Sequence, residues 1–377
     1  MTVHFFIRRA CIWPILVVVL LGWPLRADRV DDAVQRGVKF LVRHQDSRTG
    51  GFSLKNSKTR PVVSNESYPM AALSVMAMAS VGHQPVDDSE AGRAMSKGIE
   101  FLIRDDPRRN RSGGYYGVDG SRMYGHGITT LCLGEMLGMS VTRDQDRRIR
   151  QNLVRAVNLI LAAQRQRKPD SRHVGGWRYE PTSSDSDLSI TVWQLMALRS
   201  AQNAGLPVRK ENIDLAVKYL KRSYQSARNA RGHPTNLKTG FGYTPTSRPR
   251  YASTAAGLLS LQVCNLDEEE APEIIGAANY LEDIELNPKR LLWFYYGTYY
   301  YAQGMQRRKN DKPDSDGSRQ ARKARENVER VLLNLQKADG SWEGSNRTEM
   351  DIGKIYCTTL AILSLSVKHH FLPIYQH

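Results

Sequence analysis

Apolar residues along this chain fall into two alternating patterns. Val34, Val38 and Leu41 recur at helical spacing in a segment that also carries Arg36, Lys39 and Arg43, which predicts an amphipathic helix with one face to solvent. After the turn Gln45-Asp46-Ser47-Arg48-Thr49-Gly50-Gly51-Phe52, the stretch Tyr68 to Ala79 is apolar nearly all round and predicts a helix enclosed on every side. The pair then repeats. Met95, Ile99 and Leu102 lead to Gly113-Gly114-Tyr115-Tyr116 and a helix from Gly127 to Met139. Ile149, Leu153, Val157 and Ile160 lead to Gly175-Gly176-Trp177 and a helix from Leu188 to Ala204. Ile213, Val217 and Leu220 lead to Gly240-Phe241-Gly242-Tyr243 and a helix from Tyr251 to Cys264. Ile274, Ala278 and Leu281 precede Leu291 to Tyr296 without the paired glycines. Val328, Leu332 and Leu335 lead to Gly340-Ser341-Trp342 and a helix from Ile355 to Val367. A period of roughly 50 to 60 residues accommodates two helices and their turns.

Half-exposed helices alternating with fully covered ones fit two concentric rings. The expected fold is all-α, an (α/α)6 toroid of six helical hairpins forming one domain over 28–377, with an open superhelix as the alternative.

Residues 1–27 place Arg8-Arg9 before an apolar run from Ala10 to Gly22, the arrangement of a secretory signal peptide, cleaved or retained as an anchor. The chain is therefore expected to be exported: periplasmic, extracellular or membrane-anchored. Loss of this segment removes Arg8, Arg9 and Arg26 from a formal charge of +16, and takes Cys11 with it. Cys132, Cys264 and Cys357 remain in apolar runs, and an odd number so placed reads as buried thiols. No CxxC, HExxH or paired-His spacing occurs, so neither a metal nor a cofactor is expected. Export and the lack of any nucleic-acid-binding signature disfavour nucleic acid.

Gln336-x-x-x-Gly340-x-Trp342 resembles the QW repeat of squalene and terpene cyclases, and Gln45…Gly50-Gly51-Phe52 and Gln164…Gly175-Gly176-Trp177 resemble degenerate copies. The helical pairing is similar to that of the prenyltransferase/squalene-oxidase repeat superfamily, most of all its exported single-barrel bacterial members. In this motif the glycines permit a tight turn and the ring packs between hairpins, while the Gln amide is expected to serve carbonyls at the end of the outer helix. The Asp-x-Cys zinc pair of protein prenyltransferases and the Cys-Gly-Glu-Gln thioester of complement-type toroids are both missing.

In a toroid the inner-helix starts line a central cavity. Asp185-Ser186-Asp187-Leu188 lies at one such start. The resemblance implies a D-x-D-D acid in which Asp187 donates a proton with Asp185 as its partner, although Leu188 replaces the last acid. The competing role for either residue is helix capping. Trp193, Trp293, Tyr296 and Tyr300 are candidate cavity aromatics for an isoprenoid or a carbocation, and Tyr124 and His126 stand at the second inner-helix start. Basic residues cluster from Arg104 to Arg111, Arg165 to Arg172 and Arg307 to Arg330. A solvated basic loop is expected at 305–320, suited to anionic lipid or polysaccharide. The acidic run Asp267 to Glu270 is expected to favour the positive end of the fifth outer helix.

The leading functional expectation is a toroid binding an apolar, isoprenoid-like ligand. The alternatives are a class II terpene cyclase acting through Asp187, a carbohydrate-active toroid for acidic polysaccharide, and a non-catalytic scaffold.

Overall fold

The computed structural model describes residues 29–53, 67–369 and 371–376; the expected signal peptide lies outside them. No described helix is long and apolar enough to cross a membrane. Twelve principal helices alternate as outer and inner members of six hairpins: α1 (Arg29–His44), α2 (Tyr68–Ala79), α3 (Glu90–Ile103), α4 (Arg122–Met136), α5 (Arg143–Gln164), α6 (Leu188–Asn203), α7 (Lys210–Ser223), α8 (Tyr251–Val263), α9 (Glu273–Glu282), α10 (Phe294–Gln306), α11 (Asp316–Leu335) and α12 (Lys354–Leu365). The even-numbered helices are almost wholly buried, as their lack of charge requires. They pack in order, and α12 returns to pack on α2, which closes the ring and excludes the open superhelix. Among the described residues there are no strands, only isolated bridges such as Trp177 with Asp187. The second inner helix begins at Arg122, a turn and more before Gly127.

The glutamine motifs work differently from the expectation. Gln45 Nε2 donates to Gly50 O and Ala94 O, Gln164 Nε2 to Gly175 O and Asn212 O, and Gln336 Nε2 to Gly340 O and Ala33 O. Each amide thus ties its own turn to an early carbonyl of the next outer helix. The carbonyls near the end of the motif's own outer helix go to indole N–H groups, Trp177 to Ile160 O and Trp342 to Leu332 O, both at 2.8 Å. Gln336 reaches α1, so the same staple that joins neighbours also seals the seam between the sixth hairpin and the first. Gly340 sits there at φ +87°, and a Cβ on it would stand 2.5 Å from Arg36 O, so glycine is required by conformation and by space.

Cys132 and Cys357 are buried and Cys264 half-buried, all as free thiols. The expected solvated loop at 305–320 is confined to its centre, where 309–314 are exposed and non-helical, while its flanks are built into the fold. Arg308 is buried and pairs with Glu268 at 3.2 Å, Arg307 donates to Tyr375 O, and helix begins again at Asp316. The acidic run accordingly serves a tertiary ion pair as well as its own turn, where Asp267 accepts from Glu269 N and Glu270 N.

The C-terminal segment closes one end of the barrel. Leu372, Ile374 and Tyr375 are buried, the Tyr375 and Tyr299 hydroxyls are bonded to each other, and Ile374 N donates to Glu135 Oε2 at 3.0 Å. Glu135 is fully enclosed. Burial pushes its carboxyl up from 4.5 to about 7, against the opposing hydrogen bonds from Ser200 and Ile374. Between those two values the folded chain holds a proton that the unfolded chain has released, so stability falls as pH rises through this window. Comparing wild type with Glu135→Gln in urea melts at pH 4.5 and pH 8 should show the variant gaining relative stability at pH 8, by on the order of 3 kcal/mol. An unchanged difference between the two pH values would contradict this assignment.

Candidate functional site

The opposite end of the barrel holds a cavity of about 820 Å³. Every inner helix contributes from its N-terminal end: Pro69 and Met70, Tyr124 and Ile128, Ser189 and Trp193, Tyr251 to Ser253, Tyr296, and Tyr356. The pairs Tyr124/Ile128 and Ser189/Trp193 are four residues apart and so lie on one helical face. Loop residues Tyr179, Tyr243, Leu291, Leu292 and Trp293 complete the wall and mouth, with Arg250 and Arg290 at the rim. Trp293 is 41% exposed and adopts φ +57°, an unusual conformation for a bulky residue. Of the six side chains expected around the cavity, Tyr124, Trp193, Trp293 and Tyr296 line it.

The other two lie behind the wall. Tyr300 is fully buried, with Trp193 edge-on at 5.6 Å and Tyr296 at 4.9 Å between ring centroids. His126 is also fully buried; its Nδ1 accepts from Tyr116 N at 3.2 Å, which leaves Nε2–H to donate to Ala156 O at 3.0 Å. Burial pushes its pKa down to about 4, so the ring is neutral. His126 replaces a threonine used elsewhere: Thr191, Thr254 and Thr358 accept from Trp177 N, Phe241 N and Trp342 N respectively. The sequence signal of this recurrent link between a turn's aromatic residue and the following inner helix is a threonine in that helix's first turns.

Asp187 is buried and caps α6. Its Oδ1 accepts from Ile190 N at 2.8 Å and Ser189 Oγ at 2.7 Å, and its Oδ2 lies 3.4 Å from Arg178 Nε. Its own N–H donates to Trp177 O at 2.9 Å. Burial pushes its carboxyl above the ordinary range, opposed by Ile190 N–H, the Ser189 hydroxyl and Arg178. Asp185 is half-buried and pairs with Arg178 at 3.0 Å. Neither aspartate lines the cavity. The Arg178 guanidinium in turn lies over the rings of Tyr179 and Tyr243, whose hydroxyls are 2.6 Å apart.

Two further carboxylates at this level are also engaged with inner-helix starts, each from a neighbouring hairpin. Asp119 Oδ2 accepts from Tyr68 N at 2.9 Å, and Glu349 Oε1 accepts from Tyr295 N at 2.8 Å. Burial pushes Glu349 up to about 7, against hydrogen bonds from the backbone of α10. No local sequence signal announces Glu349, because its partner lies 54 residues away. With Asp119, Asp187 and Glu349 all bonded to helix N–H groups, no carboxylate among the described residues lines the cavity, and these residues contain no metal-binding cluster.

This is an (α/α)6 toroid with an aromatic cavity at the N-terminal ends of its inner helices. No protein-family model and no curated sequence matches the chain. Among solved structures it resembles a GH76A α-1,6-mannanase from Salegentibacter sp. HEL1_6, with TM-score 0.62 and 9% identity over 91% of this chain and 100% of that one. A sugar epimerase from a ruminal bacterium gives TM-score 0.59 and 12% identity over 91% and 99%. A type II terpene cyclase from Scytonema gives 0.53 and 14% over 91% and 98%. At these identities the likeness is one of fold, shared by glycosidases and a terpene cyclase alike.

Proposed function

We propose that the protein is an exported toroid that takes up an elongated apolar ligand of isoprenoid character in this cavity. The observation that carries the reading is the wall itself: nine aromatic side chains with Met70, Ile128 and Leu291 and no carboxylate, in a volume within the ordinary range for small-molecule sites. Apolar surface and ring faces suit a hydrocarbon chain. The QW-type staples support grouping the chain with the squalene- and terpene-cyclase-like toroids.

The site is read as binding and not as catalysis. Glycoside hydrolysis uses two carboxyl groups flanking the scissile bond, and in one similar mannanase the inactive variant has two adjacent aspartates replaced. Here the nearby carboxylates cap helices. Protonation of an alkene needs a neutral carboxyl directed at the substrate, whereas Asp187 lies outside the cavity lining, with Oδ1 taken by Ile190 N and Ser189 Oγ and Oδ2 beside Arg178.

Indole fluorescence from Trp193 and Trp293 reports on occupancy. Farnesol should quench it saturably and α-1,6-mannotriose should leave it unchanged. Ala252→Trp, which places an indole in the cavity, should abolish the farnesol response while leaving the helical circular-dichroism spectrum intact. Saturable mannotriose binding without farnesol binding would overturn the proposal in favour of a carbohydrate site.

A further inference from the structure

One wall of the cavity carries a directed chain of hydrogen bonds. Tyr124 Oη lies 2.6 Å from Ser189 Oγ, and both residues line the cavity. Ser189 Oγ in turn donates to Asp187 Oδ1 at 2.7 Å. Each hydroxyl has one proton. Asp187 Oδ1 already accepts from Ile190 N, and Oδ2 faces the Arg178 guanidinium, so the carboxylate stands among donors and acts as the acceptor that fixes the direction of the chain. Ser189 gives its proton to Asp187, and Tyr124 must therefore give its own to Ser189. The lone pairs of Tyr124 Oη are what remain for the cavity. Burial holds the Tyr124 phenol well above its usual pKa, so its proton stays in the chain.

We infer that Tyr124, oriented by Ser189 and Asp187, forms a hydroxyl-binding subsite, and that the apolar ligand carries an alcohol whose O–H donates to Tyr124 Oη. This rests on the apolar-ligand reading above and narrows it: a hydrocarbon, an ether or a ketone brings no proton to the lone pairs of Tyr124 Oη. Asp187 is a positioning residue here, acting through Ser189 and out of contact with the ligand. This gives a use to the buried carboxylate beyond its capping of α6. The wall discriminates because an ether oxygen placed against the Tyr124 lone pairs meets no donor, and leaving such a pair unmatched in a desolvated site carries a penalty.

The test compares farnesol with farnesyl methyl ether, which differ in the proton and one methyl group, by calorimetric titration of wild type, Tyr124→Phe and Ser189→Ala. Wild type is expected to favour the alcohol about tenfold, the effect of one net hydrogen bond. Tyr124→Phe should lose the preference. Ser189→Ala removes the acceptor of the Tyr124 proton and frees it for the cavity, so the ether should gain and the preference should fall to parity or reverse. This second outcome is one that a purely structural role for Ser189 does not produce. Equal binding of both probes by wild type, or a preference that survives in Tyr124→Phe, would overturn the inference while leaving the apolar cavity standing. Failure of both probes to bind any of the three proteins would overturn the cavity reading and this inference with it.

Discussion

Replacing Trp177 by alanine is expected to destabilise the protein by about 3–5 kcal/mol, the usual range for deleting a large aromatic side chain from a core. Trp177 is 1% exposed and holds three parts of the third hairpin together. Its indole N–H bonds Ile160 O on the outer helix, its backbone N–H bonds Thr191 Oγ1 on the inner helix, and its carbonyl accepts from Asp187 N. The loss therefore reaches the cavity wall as well as the core, since Asp187 and Ser189 follow Trp177 in the same hydrogen-bonded sequence. Trp177→Phe keeps most of the volume and loses only the indole N–H bond to Ile160 O, a carbonyl that α5 still pairs with its own backbone, and should cost about 1 kcal/mol. Urea denaturation of the two variants checks both values. A Trp177→Ala protein within 1 kcal/mol of wild type, roughly the scale of an ordinary surface change, would show that the hairpin junction does not depend on this ring.

Truncation before Lys368 is expected to have a comparable effect for a different reason. Leu372, Ile374 and Tyr375 are 3%, 3% and 6% exposed against the closed end of the barrel. At about 1.5–3 kcal/mol for each apolar side chain buried, their removal should cost at least about 5 kcal/mol. It also strips Glu135 of the Ile374 N–H and Tyr299 of its hydroxyl partner, in a part of the barrel that the truncation opens to water. The truncated protein should melt at lower urea concentration and bind hydrophobic dyes, with its far-ultraviolet helical signal kept at low temperature. Wild-type stability would mean that the segment lies against the barrel without closing it.

The repeated architecture was legible because it is written in periodicity. A charged face on every odd helix and none on the even ones dictates which helix is outside, and Gly340-x-Trp342 and its relatives mark where one turns into the other. What the pattern could not convey is the pairing of atoms across hairpins. The motif predicts a Gln336 amide serving its own helix end, yet it reaches Ala33, more than 300 residues away in sequence, because closure of the ring brings the first hairpin beside the last. The sequence places His126 at an inner-helix start that faces the cavity, but in the fold it performs the task that Thr191, Thr254 and Thr358 perform elsewhere, an equivalence of position in space and not of residue type.

The site followed the same division. Tyr124, Trp193 and Tyr296 were found because inner-helix starts must face the centre. Tyr300, one turn beyond Tyr296, lies behind Trp193, where crowding among rings and not helical phase decides which one meets the cavity. In the sequence Asp187 reads as a helix cap in competition with a proton donor. The structure shows the cap and adds what spacing alone does not reveal: Ser189, two residues on, turns the buried carboxylate's influence outward to Tyr124.

The central claim is that the cavity at the N-terminal ends of the inner helices holds an apolar molecule. The most direct measurement is organic extraction and mass spectrometry of the wild-type protein and Ala252→Trp, each purified from the native host. An apolar, hydroxyl-bearing molecule recovered with wild type in near-equimolar amount and missing from Ala252→Trp is the predicted result. Recovery of a glycan in its place, or of the same apolar content from both proteins, would contradict the account.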